Sequence, residues 1–428
     1  MPRLFATACL LLMSFPVMAD WPAFRGAASD GHAGVSGLPL TWSETENVTW
    51  KQVIPGLAWS SPVVMGDCIY LTNAVVVLPE PAKPAEGDDK APAEEKTPGE
   101  VVLRAMCLDA KTGETKWDHE LFRHPDTVEM HKKNSHASPT PIIENGYMYV
   151  HFGSNGTACL TLDGNVVWKN KLEYSPQHGT GGSPAIAGDV LVICCDGSDV
   201  QYVAGLDKST GKLLWKTDRA TTPSKGFSFA TPLVLTIGGQ MQAICPGSDA
   251  VFAYDPANGK EIWRVNYPDG YSVTPCPVYG GGLVYVCTGF NKPRLLAIDP
   301  TGRGDVTETH LKWEFDKAVP HSPSVLYLDG RVYFVSDKGI ASCVDAKTGE
   351  QLWQERLGGN FSASPLYADG RIYFQDENGK TTVVAAGPEF KVLGTSELNP
   401  EARTFASYAI TDHAILLRSE QALYRIEE

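Results

Sequence analysis

The stretch CVDAKTGEQLW, Cys343 to Trp353, recurs in this 428-residue chain as CLDAKTGETKW from Cys107, GLDKSTGKLLW from Gly205 and AYDPANGKEIW from Ala253. Four positions are held in every copy: a small residue first, Asp third, Gly seventh and Trp eleventh. Each copy follows an apolar or alternating run and leads into another, which is the pattern of a hairpin. The Asp side chain accepts from backbone N–H groups two or three residues on, and Gly closes a short turn with a bulge. Trp then falls on the outgoing strand. One hairpin alone is marginal in water, so the repeating unit is larger.

A second signature precedes each phrase, a Ser or Thr followed by Pro at the head of an apolar strand. It reads Ser61-Pro62, Ser138-Pro139, Ser183-Pro184, Thr231-Pro232, Thr274-Pro275, Ser322-Pro323 and Ser364-Pro365, and after the first interval the prolines recur every 42 to 48 residues. Proline is tolerated at the first residue of a strand. Between the signatures lies a turn and a further strand, as in ADGRIYFQ from Ala368 and LDGRVYFV from Leu328. Four antiparallel strands at this period are the sequence mark of a β-propeller blade.

Worn copies complete the count. Blade two contracts the turn to Asp163-Gly164 before Trp168, blade five expands it from Asp299 to Trp313, and blade seven loses the phrase near Ala386. An eighth unit supplies three strands, Tyr408 to Ile410, Ala414 to Leu417 and Ala422 to Ile426, and then the chain stops at Glu428. Its fourth strand should carry a Trp, and ENVTWKQV, Glu46 to Val53, is such a strand without a blade of its own. The expectation is an all-β, eight-bladed propeller of four-stranded antiparallel blades, one domain over 20–428. An N-terminal strand completes the last blade, so no edge is left open.

Two segments fall outside the period. Residues 1–19 read as a cleaved secretory signal: Arg3, an apolar run over Leu4 to Phe15, and small residues ahead of a cut near Ala19. That implies a periplasmic or secreted protein, and no other stretch has the length of a membrane span. Residues 79–100, rich in Pro, Ala, Glu and Lys and without aromatics, read as a disordered insert in blade one. The connection from Asp118 to Ala137 is the other long one and is expected to hold a short helix.

Chemistry-bearing motifs are sparse. A net charge of −14 argues against nucleic acid and against an anionic membrane face. The nine cysteines beyond the signal, Cys68 to Cys343, are an odd number with no metal-type spacing. His119, His124, His131 and His136 crowd one stretch at spacings that match no common metal motif. No nucleophile elbow, phosphate loop or dinucleotide fingerprint sits in the right context. The reading is no catalytic residue and no metal.

Repeats of the form small-x-Asp-x-x-Thr-Gly-x-x-x-Trp resemble the tryptophan-docking repeats of the PQQ-like propeller family. That family includes outer-membrane assembly proteins of the BamB type and, more remotely, quinoprotein alcohol dehydrogenases. The resemblance implies that Trp117, Trp168, Trp215, Trp263, Trp313 and Trp353 pack between blades. In length the chain is similar to the members without a cofactor, which implies a non-catalytic, monomeric scaffold with no cofactor. The alternative is an oxidoreductase using pyrroloquinoline quinone (PQQ) and calcium. Cys194-Cys195 is similar to the adjacent-cysteine disulfide of the dehydrogenases, but it ends a strand whose neighbours point to opposite faces, and it reads as two unpaired thiols.

In a propeller the residues just before each inner strand ring a central funnel. Those positions give Trp59, His136, His178, Phe229, Tyr271, His321, Phe361 and Phe405. Aromatic and imidazole side chains in a concave ring suit a protein, peptide or glycan partner. Loops between second and third strands open on the same face and add Asp196, Asp249, Asn291 and Asp337.

Overall fold

Eight four-stranded antiparallel sheets follow one another around a ring in the computed structural model, which describes residues 20–78, 99–126, 130–398 and 402–428. Blade one runs Val63–Met65, Cys68–Val77, Glu100–Asp109 and Thr115–Pro125. Blade six, which holds the opening phrase, runs Leu326–Leu328, Arg331–Val335, Ile340–Asp345 and Gln351–Arg356. The ring closes with an N-terminal strand: Val48–Val53 pairs antiparallel with Ala422–Ile426, Val48 opposite Ile426 and Val53 opposite Ala422.

The phrase is a docking device. Asp345 Oδ1 accepts from the N–H groups of Lys347 and Thr348 at 3.0 and 2.8 Å, and Asp109 and Asp207 repeat the arrangement. Gly349 sits at φ 75°, where a side chain is strained, and a Cβ there would lie 2.8 Å from the Trp313 ring of the preceding blade. The retained Gly is therefore the landing surface for the previous blade's retained Trp. Gly113 receives Trp50 in the same way, and Gly164 receives Trp117. The docked indoles of Trp117, Trp168 and Trp353 also find the single acceptor an indole N–H requires, donating to Leu162 O, Lys208 O and Gly387 O at 3.0 to 3.2 Å, whereas the buried N–H of Trp50 has no partner among the described residues.

Two blades depart from this rule. Trp263 of blade four is 0% exposed and donates to Gln242 Oε1, while Gly304–Asp305 from the expanded turn of blade five lies parallel to its strand. Blade seven keeps a fourth strand, Val392–Glu397, but Gly394 stands opposite Val383, where blade six has Trp353 opposite Cys343. A Cβ on Gly394 would reach within 2.5 Å of Leu40 O, because the N-terminal segment occupies that space. Trp42 stacks on Tyr373 at 6.5 Å and 17°, and its backbone N–H donates to Ser396 Oγ, while its indole N–H has no partner among the described residues. The missing indole of blade seven thus comes from outside the blade.

The segment ahead of Trp42 crosses the base of the ring. Trp21 exchanges both backbone bonds with Val64, Pro22 O accepts from Ile143, Arg25 Nη2 donates to Val325 O at 2.6 Å, and Gly31 O accepts from Tyr367. These partners lie in blades one, two, six and seven, so residues 21–31 span the channel.

Several expectations need correction. Blade one's last strand continues to Pro125, so His119 and His124 lie on a strand and not in a loop. Residues 130–137 form turns, and the helix found among the described residues is Thr307–His310, in blade five's expanded turn. Glu100 pairs with Val77 and Gly99 O accepts from Asp126, so both belong to blade one; residues 79–98 of the expected insert and residues 1–19 lie outside the described residues. Cys68 to Cys343 are all unpaired, with Cys194 and Cys195 adjacent in the strand Val190–Asp196.

Candidate functional site

One hydrogen bond, repeated around the ring, sets the inner wall. The backbone N–H of Ser61 donates to Thr140 Oγ1, Thr140 to Ser183 Oγ and Ser183 to Thr231 Oγ1; beyond a gap, Cys276 donates to Ser324 Oγ, Ser324 to Ser364 Oγ and Ser364 to Ser407 Oγ. All six bonds measure 2.9 or 3.0 Å. This hoop shows that three blades were registered two residues early in sequence: the equivalent positions are Thr140, Cys276 and Ser324, not Ser138, Thr274 and Ser322. In an extended strand, residues two apart face the same side. The next layer of the wall is therefore Trp59, Ser138, Gly181, Phe229, Thr274, Ser322, Ser362 and Phe405, and every one of them lines a single cavity of about 920 Å³.

Six of the eight residues expected at the funnel line this cavity: Trp59, His178, Phe229, Tyr271, His321 and Phe405. His136 and Phe361 do not. His136 was displaced by the register slip in blade two; its Nε2 lies 3.4 Å from Asp126, and burial holds its pKa below the ordinary imidazole value. Phe361 is 2% exposed and packs with Trp353 in the core of blades six and seven. Asp337 lines the cavity, whereas Asp196 does not: it is buried, with both oxygens accepting from Arg219 at 2.6 and 2.7 Å.

The structure adds Phe227, Phe290, His131 and Lys225 to the lining. Phe227 alternates with Phe229 in KGFSF, a spacing that was open to reading in sequence; the others come from loops whose reach depends on the closed ring. Together these rings form one arc. His131 to His178, His178 to Phe227, Phe227 to Tyr271, Tyr271 to Phe290 and Phe290 to His321 are separated by 5.3 to 5.7 Å. From Phe227 onward the planes meet at 67° to 79°, the edge-to-face geometry that aromatic quadrupoles prefer. Across the cavity, Trp59 and Phe405 pack at 4.5 Å beneath the Arg403 guanidinium.

Residues 131–134 form a strap over one side of the mouth. Lys133 Nζ bonds Glu377 Oε1 of blade seven at 2.6 Å, Arg403 Nη1 donates to Lys132 O, and Asn134 donates to His178 O of blade three. Burial, with His178 and two lysines beside it, lowers the pKa of His131. At the opposite lip Asp337 accepts from the N–H of His321 at 2.6 Å and from Ser322 Oγ at 2.8 Å, which turns its carboxylate into the wall.

Calcium takes six to eight oxygen ligands, several of them carboxylates. The cavity wall offers Asp316 and Asp337, and among the described residues no group of three or more His, Cys, Asp or Glu side chains could hold a metal ion. The donor set does not fit a calcium-dependent quinone.

Comparison with known proteins gives a consistent picture. The profile of the family described as outer membrane protein assembly factor BamB matches over 34–200, 100–244, 199–320 and 296–387. Methanol dehydrogenase [cytochrome c] subunit 1 of Methylorubrum extorquens is 27% identical over 154 residues, 31% of this chain and 23% of that one, so the match spans about a quarter of the dehydrogenase. Among solved structures, BamB from Moraxella catarrhalis superposes with a TM-score of 0.59 at 13% identity, covering 89% of this chain and 97% of that one. A europium-containing methanol dehydrogenase gives 0.59 at 13% identity over 94% and 90%. At these identities the structural likeness speaks for the fold alone.

Proposed function

The chain belongs to the BamB family of PQQ-like repeat propellers, and from that premise we propose that it is an exported, non-catalytic scaffold, periplasmic or secreted, that binds a protein partner in its central funnel. One observation carries the reading: the cavity presents a contiguous aromatic arc with hydroxyl neighbours, the composition of a recognition surface, and its acids do not assemble a metal centre. The family's printed description, an assembly factor, supports a role in holding other proteins. Export rests on the signal read over 1–19, and among the described residues no helix is long and apolar enough to cross a membrane.

The test is site-specific photocrosslinking in the native envelope. A photoreactive residue replacing Tyr271, in the funnel, should capture a defined protein, whereas one replacing Leu213, 51% exposed at the outer edge of blade three, should not. Capture from the outer edge alone would overturn the funnel assignment.

A further inference from the structure

We infer that the funnel receives a peptide segment carrying acidic and aromatic side chains; this rests on the funnel being the protein-binding site. The two sides of the cavity differ in chemistry, and together they match such a segment.

On one side, over blades two, six and seven, three wall hydroxyls already donate their protons to the protein. Ser138 Oγ donates to Asn134 Oδ1 at 2.6 Å, Ser322 Oγ to Asp337 Oδ1 at 2.8 Å and Ser362 Oγ to Glu377 Oε1 at 2.6 Å. Since a hydroxyl has one proton and two lone pairs, Ser322 and Ser362 are left as acceptors on the cavity wall, whereas Ser138 Oγ already accepts from the Ser135 N–H at 3.1 Å and lies 2.8 Å from the Ser135 hydroxyl. Peptide N–H groups are the complementary donors.

On the other side, over blades three to five, stand the rings and a free ammonium. Lys225 Nζ lies 4.7 Å above the Tyr271 ring and 3.1 Å from its hydroxyl, and it has no ion pair among the described residues. Two of its three protons remain for a ligand. The chain carries a net charge of −14, yet with Lys133 paired to Glu377 and Asp337 held by its own lip, the cavity lining keeps Lys225 and Lys338 against Asp316. An arriving carboxylate is thus attracted here while the rest of the surface repels it, which favours orientation as well as affinity. Phe227, Tyr271 and Phe290 meet edge to face and can take one more ring in the same geometry.

Closure of the base shapes the ligand too. Phe24, from the segment that spans the channel, lines the cavity floor, so a chain enters from the mouth as an end or a tight loop and does not thread through.

The experiment measures fluorescence anisotropy of the intact protein with three labelled hexapeptides: alternating Asp and Phe, alternating Lys and Phe, and alternating Asp and Ala. The first should bind at least tenfold more tightly than either other, and its affinity should fall as salt is raised. Lys225→Ala, an exposed position, should weaken it about tenfold while leaving the melting temperature unchanged. Equal binding of the Lys–Phe peptide, or an unaffected Lys225→Ala, overturns the inference. Selection from a random peptide library, with Phe227→Ala as counter-target, separates this failure from that of the wider reading. Funnel-dependent winners without acidic residues overturn the ligand class alone. Winners indifferent to Phe227→Ala overturn the funnel as the binding site.

Discussion

Trp42→Ala should open the seam between blades seven and eight. Trp42 is 2% exposed and packs in one cluster with Tyr373 of blade seven and Tyr408, Ile410 and Leu417 of blade eight. A buried indole removes about 150–250 Å² from water. At about 25 cal/mol per Å² that burial is worth about 4–6 kcal/mol, and truncation of buried aromatics to Ala costs about 3–5 kcal/mol. For roughly 400 folded residues the unfolding entropy is about 0.8 kcal/mol/K, so a loss of about 4 kcal/mol lowers Tm by about 5 °C. Calorimetry should show this drop, matching that of Trp353→Ala, a conventional docking position 7% exposed. Hydrogen exchange should localise the added opening to Val392–Glu397, the strand that bonds Trp42 through Ser396. Gly394→Ala should cost a similar amount by pushing on Leu40 O, and the two substitutions should be non-additive because they disturb one contact. A Trp42→Ala protein that melts within about 1 °C of the parent, while Trp353→Ala falls by about 5 °C, refutes the substitution of one indole for the other.

Two more outcomes follow from the fold. A chain beginning at Ile54 loses the strand Val48–Val53 and leaves Ala422–Ile426 as an open edge, so it should elute as aggregate in size-exclusion chromatography; a soluble monomer of unchanged stability would count against ring closure. Stability should also fall below neutral pH because of His151, which is fully buried, its Nδ1 against Thr157 Oγ1 at 2.9 Å, with burial pulling its pKa from 6.5 to about 4. The unfolded chain takes up the proton first, so the full stability is present above about pH 6.5 and is lost as pH falls toward 4, by about 2 kcal/mol at about pH 5. Urea melts of the parent and His151→Gln at the two pH values should show a flatter dependence in the variant; parallel slopes would mean that another group carries the effect.

Phrase, period and the homeless strand at Glu46 to Val53 were sufficient to determine eight blades and the closure of the ring, because each is a local pattern repeated in one chain. Docking tryptophans were readable for the same reason. What sequence could not decide was any contact made between distant segments. Trp42 carries no repeat signature, and only the vacancy at Gly394, visible once blade seven is folded against residues 38–42, gives it a partner. The funnel depended on register: Ser138-Pro139 and Thr140-Pro141 offer two equally good strand starts two residues apart, and the choice is made by the N–H of Ser61 finding Thr140 Oγ1 across the seam. Had the hoop been known, Ser138 would have replaced His136 in the ring. Lys225, Phe290 and the strap at 131–134 lie on loops, whose course is set by the blades they bridge and not by their own composition. Periodicity in a sequence reports what each strand does with its nearest neighbours; the identity of the funnel wall is a property of eight blades brought to one axis, and only the tertiary structure holds that information.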